Sequence, residues 1–169
     1  MNCYFKTLTY ETSQNNLADV EPKLVPYLSE FDYFSIHDLT DASRNWVKES
    51  GIKDGLLTCQ VHHTTCVLAV NELDEPCLLG DINNFLRDII PRNKPYLHNS
   101  KIRTKNLCVD DKKCDRNADA HMKSFMCNGA SQTLIVKDGI PLYGQWQKLC
   151  LIDLDGPRER KITVQVIGE

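Results

Sequence analysis

The last third of the chain constrains the fold most. Asp138-Gly139 separates two apolar runs, residues 133–136 and 140–143, and further strand-like runs follow at 148–154 and 161–167. Asp-Gly tolerates the positive φ values of a two-residue hairpin turn, so the spacing predicts an antiparallel hairpin inside an all-β segment. Upstream, residues 3–12 are rich in Tyr, Phe and Thr, and 55–63 and 67–73 in Leu, Val, Thr and Cys, which is also strand chemistry. A short strand is expected over 34–39.

Three helices interrupt these strands. Thr40 is placed to cap one that runs through Trp46 and Val47 and stops at Gly51. Asp74-Glu75-Pro76 opens a second, in which Leu78, Leu79, Ile82, Phe85, Leu86 and Ile89 recur at helical spacing and predict one wide buried face. Asn117 or Asp115 caps a third, with Ala118, Met122, Phe125 and Met126 as its apolar side and Gly129 at its end. Strands and helices alternate without a βαβ rhythm, so the expectation is a single α+β domain over 1–169 built on a largely antiparallel sheet, with 1–34 its more divergent part.

Composition narrows the classes of function. The chain has 169 residues, 41% hydrophobic and 25% charged, with a net charge of −3. That is a folded globular balance, and it lacks the basic block of a nucleic-acid footprint. The densest basic run, Lys101 to Lys105, is soon followed by Asp110-Asp111 and reads as a solvated loop. No apolar run is long enough to span a bilayer, and residues 1–16 carry no apolar signal core, so a cytoplasmic protein without nucleic-acid or membrane partners is expected. The eight cysteines form no C-x-x-C pair and mostly lie inside apolar runs, which reads as eight thiols.

The polar clusters are where chemistry could reside. His63, beside Thr64 and Thr65, is either a core histidine held by its threonines or an inward-facing ligand. His62 points to the opposite side of the strand. Glu72 ends the next strand, and Asp81 lies at the border of the second helix's apolar stripe. The segment Asp115-Arg116-Asn117-Ala118-Asp119-Ala120-His121 is unusually polar for a helix start; Asp119 suits the helix dipole, and His121 is the better inward-pointing residue. His98 has no packing role in its loop. Three imidazoles from separate segments could hold a metal with an open position, with Glu72, Asp81 or Asp119 as outer partners, although no local H-x-x-x-H spacing supports this. Trp146 and Gln147 follow Gly144, and Arg158 sits on a Gly-Pro turn where it either binds an anion or is simply exposed.

In combination, His63-Thr64-Thr65, Asn71-Glu72, Asp81, Tyr96-x-His98, Asn117-Ala118-Asp119-Ala120-His121, Gly144-x-Trp146-Gln147 and Asp155-Gly156-Pro157-Arg158 resemble the YjbQ family (UPF0047), also called the secondary thiamine-phosphate synthase family. The resemblance runs from about Ser35 to Gly168 in the family's order. It implies a compact α+β domain, a homotrimer, and a pocket acting on phosphorylated metabolites. In that pocket Glu72, Asp81 and Asp119 would be catalytic, Thr64, Thr65, Asn117, Trp146, Gln147 and Arg158 would bind substrate, and His63, His98 and His121 would place a divalent metal (Zn²⁺ or similar, Mg²⁺ remaining open) or move protons. Transferase chemistry of this kind joins a pyrimidine diphosphate to a thiazole phosphate. Two other readings stand beside it: a metal-dependent hydrolase or lyase of a small phosphorylated metabolite, and a non-catalytic trimeric module that binds a ligand or protein. Residues 15–30 and 101–114 look like additions to the family pattern.

Overall fold

The computed structural model describes residues 1–13, 35–103 and 115–169. The two segments expected as additions, and Cys108 and Cys114 with them, lie largely or wholly outside these residues. Among the described residues eight strands and three helices follow one another: β1 (Asn2–Glu11), β2 (Ser35–Asp38), α1 (Thr40–Ser50), β3 (Gly55–Val61), β4 (Cys66–Asn71), α2 (Pro76–Ile89), α3 (Ala118–Cys127), β5 (Ser131–Lys137), β6 (Ile140–Pro141), β7 (Lys148–Asp153) and β8 (Glu159–Gly168). A short 3₁₀ turn, Leu97–Asn99, precedes α3.

All the strand pairs among the described residues are antiparallel. One sheet has the order β1-β8-β3-β5-β6 and the other β2-β7-β4. Side chains alternate across each strand, so Leu57, Cys59 and Val61 of β3 and Ile162, Val164 and Val166 of β8 meet Leu68 of β4 and Leu149 and Leu151 of β7 in one core. Each such side chain contributes about 1.5–3 kcal/mol by leaving water. The expected hairpin joins β5 to β6, with Asp138 at φ 52° and Gly139 at φ 78°. The outward face of the larger sheet is partly apolar, for the register places Cys3, Ile167, Leu56 and Ile135 in one row.

The helices depart from expectation in informative ways. Thr40 is the first residue of α1 rather than its cap: the Asp38 carboxylate accepts from the Thr40 amide at 2.8 Å, and the Thr40 hydroxyl accepts from the Leu149 amide at 3.1 Å. Gly51 ends α1 in the left-handed conformation, as expected. In α2, Glu75 caps the Cys77 and Leu78 amides ahead of Pro76, but the wide apolar stripe is only partly covered, with Phe85 58% and Ile89 50% exposed.

The largest correction concerns α3. Its buried residues are Ala118, Asp119, Ala120 and Lys123, while Met122, Phe125 and Met126 of the expected core face are exposed. Asp119 and Lys123 stand one turn apart and pair at 3.2 Å, which satisfies both charges where neither could be buried alone. Asn128, not Gly129, takes the left-handed position at its end. The six described cysteines are free thiols, and burial pushes those of Cys59 and Cys150 up to about 12. Among the described residues no helix is long and apolar enough to cross a membrane.

Candidate functional site

The site is built on the turn between β7 and β8. Asp153, at the end of β7, is fully buried and binds the Arg160 guanidinium through two hydrogen bonds of 2.6 and 2.9 Å. The same carboxylate accepts from the Thr12 hydroxyl at 2.7 Å and the Asp155 amide at 3.0 Å. Burial pushes its pKa up, but Arg160, Thr12 and the Asp155 amide together hold it below the usual carboxylate range. Gly156 passes so close that a Cβ there would collide with the Asp153 carboxylate. The peptide bond from Gly156 to Pro157 is cis. This turn presents Asp155 and Arg158.

These two residues tie in α3 and its approach. The Asp155 carboxylate accepts from the Asn117 amide at 2.7 Å and lies 3.3 Å from Arg158. On its other side Arg158 donates to Asp115 at 2.8 Å. That hydrogen bond is the main reason the Asp115 carboxyl sits below its ordinary pKa and the Arg158 guanidinium above its own. Asn117 therefore turns its side chain to Asp155 instead of capping α3. Its Oδ1 is buried and without a hydrogen-bond partner among the described residues, while Asn99 accepts from the Ala118 amide at 3.1 Å.

His63 stands on the β3–β4 turn, which is fixed to β7 by the Leu154 amide donating to the Thr65 carbonyl at 3.0 Å. Its Nδ1 faces the Thr65 hydroxyl at 2.9 Å and accepts from the Thr65 amide at 3.3 Å. An amide can only donate, so this network assigns the lone pair to Nδ1 and leaves the proton of the neutral ring on Nε2. Burial and then the Arg160 charge lower the His63 pKa.

His121, one turn into α3, packs edge-on against His98 of the 3₁₀ turn, with ring centres 5.1 Å apart at 66°. Burial, followed by the charge of His98, lowers its pKa, against an opposing pull from Asp155 and Asp115. His98 Nε2 accepts a long hydrogen bond of 3.4 Å from Arg103. His121 is also the wall between two cavities. One, of about 460 Å³, adds His63, Thr64, Cys66, Ser124 and Asn128; the other, of about 430 Å³, adds Tyr96, Leu97, His98 and Met122. Both fall in the size range of small-molecule sites.

The donor set fits a metal only in part. Two imidazoles on one tetrahedral ion, with metal–nitrogen bonds of about 2.0–2.1 Å, bring their ring centres roughly 5 Å apart, as His98 and His121 stand. His63, by contrast, turns Nδ1 to its own backbone and presents a proton on Nε2. Among the described residues, no three His, Cys, Asp or Glu side chains converge as ligands for one ion.

The structure thus gathers His63, Thr64, His121 and His98 around two adjoining cavities, with Thr65 buried behind His63 and Asn117 and Arg158 bound to Asp155. It does not bring the three expected carboxylates there. Asp119 is buried against Lys123, Glu72 lines an apolar groove with Leu79 and Ile82, and Asp81 is exposed on α2. Trp146 is exposed, and Gln147 closes its own turn by accepting from the Gly144 amide at 2.8 Å. Buried Asp153 acts electrostatically on His63, and the acids nearer the surface that act on the imidazoles are Asp115 and Asp155. The signal for them was their place in the same two polar motifs as Asn117 and Arg158.

Comparison with known proteins agrees with this architecture. Residues 28–169 match the family model described as UPF0047 protein YjbQ-like. The chain is 38% identical over 132 residues to the UPF0047 protein MJ1081 of Methanocaldococcus jannaschii, covering 78% of this chain and 84% of that one. It is 29% identical over 131 residues to the UPF0047 protein YugU of Bacillus subtilis, covering 78% and 88%. Among solved structures, a YbjQ-like protein of unknown function from Sulfolobus solfataricus superposes with a TM-score of 0.74 at 29% identity, over 99% of this chain and 98% of that one. A yjbq/upf0047 family protein from Clostridium acetobutylicum gives 0.71 at 27% identity, over 96% and 99%.

Proposed function

The chain belongs to the UPF0047 YjbQ-like family, and from that premise we propose that it is a small-molecule transferase whose imidazoles move protons at a phosphorylated substrate. The observation that carries this reading is the gathering of His63, His98 and His121, from three separate segments, beside Asp115, Asp155 and Arg158. The His63 and His121 rings, whose pKa values are lowered, are neutral at pH 7 and so able to accept a proton. In the thiamine-phosphate synthase reaction implied by the resemblance, a thiazole phosphate displaces diphosphate from a pyrimidine. The His63 Nε2–H is a donor for an oxygen of the departing group. Arg158 already lies between two carboxylates, so a phosphate that takes it displaces Asp115, which is 47% exposed, before Asp155, which is 10% exposed. The test is complementation of a thiamine-requiring strain that lacks its own synthase. Rescue by the wild-type chain and its loss in His121→Ala are expected; a folded, expressed wild-type chain that gives no rescue overturns the reading.

A second reading, metal-assisted hydrolysis or cleavage of a small phosphorylated metabolite, is favoured by the His98–His121 spacing. A divalent ion such as Zn²⁺ would be held by these two rings and would supply Lewis acidity. Plasma mass spectrometry of untagged protein purified without chelator checks it: near-stoichiometric metal lost in His121→Ala supports it, and no metal in either protein removes it.

We also propose that the chain assembles as a homotrimer. It exposes two unlike apolar faces: Phe5, Leu56 and Ile135 on the larger sheet, and Phe85, Phe125 and Met126 on the helices. Joining unlike faces head to tail gives a ring when the rotation closes, as a trimer does, and not a two-fold dimer. Sedimentation equilibrium of the full chain tests this, and a monomer at micromolar concentration overturns it.

A further inference from the structure

We propose that the cavity between the 3₁₀ turn and α3 is a separate subsite for a flat, uncharged aromatic ring, sharing His121 as a wall with the His63 cavity. The two cavities differ in what they offer a ligand. The His63 side is lined by the polar residues Thr64, Ser124 and Asn128 beside Val61 and Phe125, with the Ser124 hydroxyl donating to the Cys66 carbonyl, so its polar groups suit a polar ligand. The other side presents Tyr96, Leu97 and Met122, with His98 and His121 as its polar end. The Tyr96 hydroxyl is already committed, donating to the Pro91 carbonyl at 2.7 Å, so this residue offers the cavity its ring. A methionine sulfur beside an aromatic face is a favourable and adaptable contact, and it rewards a flat π-system over a puckered ring of equal size. Met122 is 47% exposed in a helix whose other side is buried, so it is free to close on such a ring. A hydroxyl or amino substituent on the ring would lie against His98 and His121, the polar groups of this cavity. The subsite does not depend on which reaction the site runs.

Phenol and cyclohexanol test it, since they share size and hydroxyl and differ in the aromatic face. The chain has three methionines, so ¹³C-methyl labelling of the full-length protein gives three resonances, with Met122 assigned by Met122→Leu. Phenol is expected to shift the Met122 methyl and the His98 and His121 ring signals saturably, leaving Met1 and Met126 in place. Cyclohexanol is expected to bind at least tenfold more weakly. Met122→Lys, and Met122→Gln should the first variant not fold, are expected to weaken phenol at least tenfold. Equal affinity for the two alcohols, shifts centred on Met126, or no effect of either folded variant overturns the proposal. Strain rescue is a separate readout: phenol seated at Met122 without rescue removes the transferase reading and leaves the subsite standing.

Discussion

Arg158 and Arg160 leave the same turn two residues apart, and each meets aspartates, yet they do opposite work. Arg160 is wholly buried and satisfies Asp153 with a two-pronged contact, while Arg158 is 38% exposed and spans Asp115 and Asp155 at the rim. Arg160 is the second residue of β8 and turns into the core, whereas Arg158 precedes the strand, on the turn, where its guanidinium stays beside the imidazoles. The lesson is that an ion pair's role follows from its surroundings: the inner pair shapes the turn and supplies the strongest charges at His63, while the carboxylates of the outer one, Asp155 and Asp115, act on His121.

The largest expected effect comes from breaking the inner pair. Arg160→Met leaves a buried, unpaired Asp153 and is expected to cost about 3–5 kcal/mol in urea unfolding. Adding Asp153→Leu to it should restore much of that stability if the pair is structural. Next comes Gly156→Ala, which pushes a methyl group into the Asp153 carboxylate and should cost about 1–3 kcal/mol.

Acid titration sharpens the contrast further. The folded pKa of Asp153 is depressed, so its stabilisation is present above the unfolded carboxylate value and is lost as pH falls through the folded one. His63 and His121 also have lowered folded values. The folded state disfavours their protonation, so their contribution declines as pH drops below the ordinary imidazole value toward the folded one. Stability should therefore fall in two stages on acidification, histidines first. His63→Gln with His121→Gln should shrink the first stage alone, leaving the part that buried His37 contributes through its own lowered value, and equilibrium unfolding across pH would show it.

Arg158→Ala is expected to change stability least, by no more than about 1 kcal/mol, because its outer partner is solvent-exposed. The same change should raise the Asp115 pKa, as followed by carboxyl carbon resonances, because the Arg158 hydrogen bond is the main cause of its depression. A large loss of stability in Arg158→Ala would erase the distinction between the two arginines.

What the sequence revealed followed the range of each signal. Asp138-Gly139 and the alternation around it are local, and the hairpin formed where the spacing placed it. The imidazoles stood out because polar residues interrupt apolar runs. Helix α3 misled because periodicity shows which side is apolar, not which side meets the core; there Asp119 and Lys123 go inward as a pair. Asp155 was likewise hidden from local reading, since its bond to Asn117 spans 38 residues.

One consequence of the strand order concerns how the chain is made. β1 pairs with β8 along its whole length, Asn2 opposite Gly168 and Glu11 opposite Glu159, and β8 is also the strand that joins β1 to β3. During synthesis the first strand has its partner only after some 150 more residues have emerged. Such non-local pairing makes folding slow. Asp153, Asp155, Arg158 and Arg160 all belong to that late stretch. A nascent chain can thus carry all three imidazoles and still have no site.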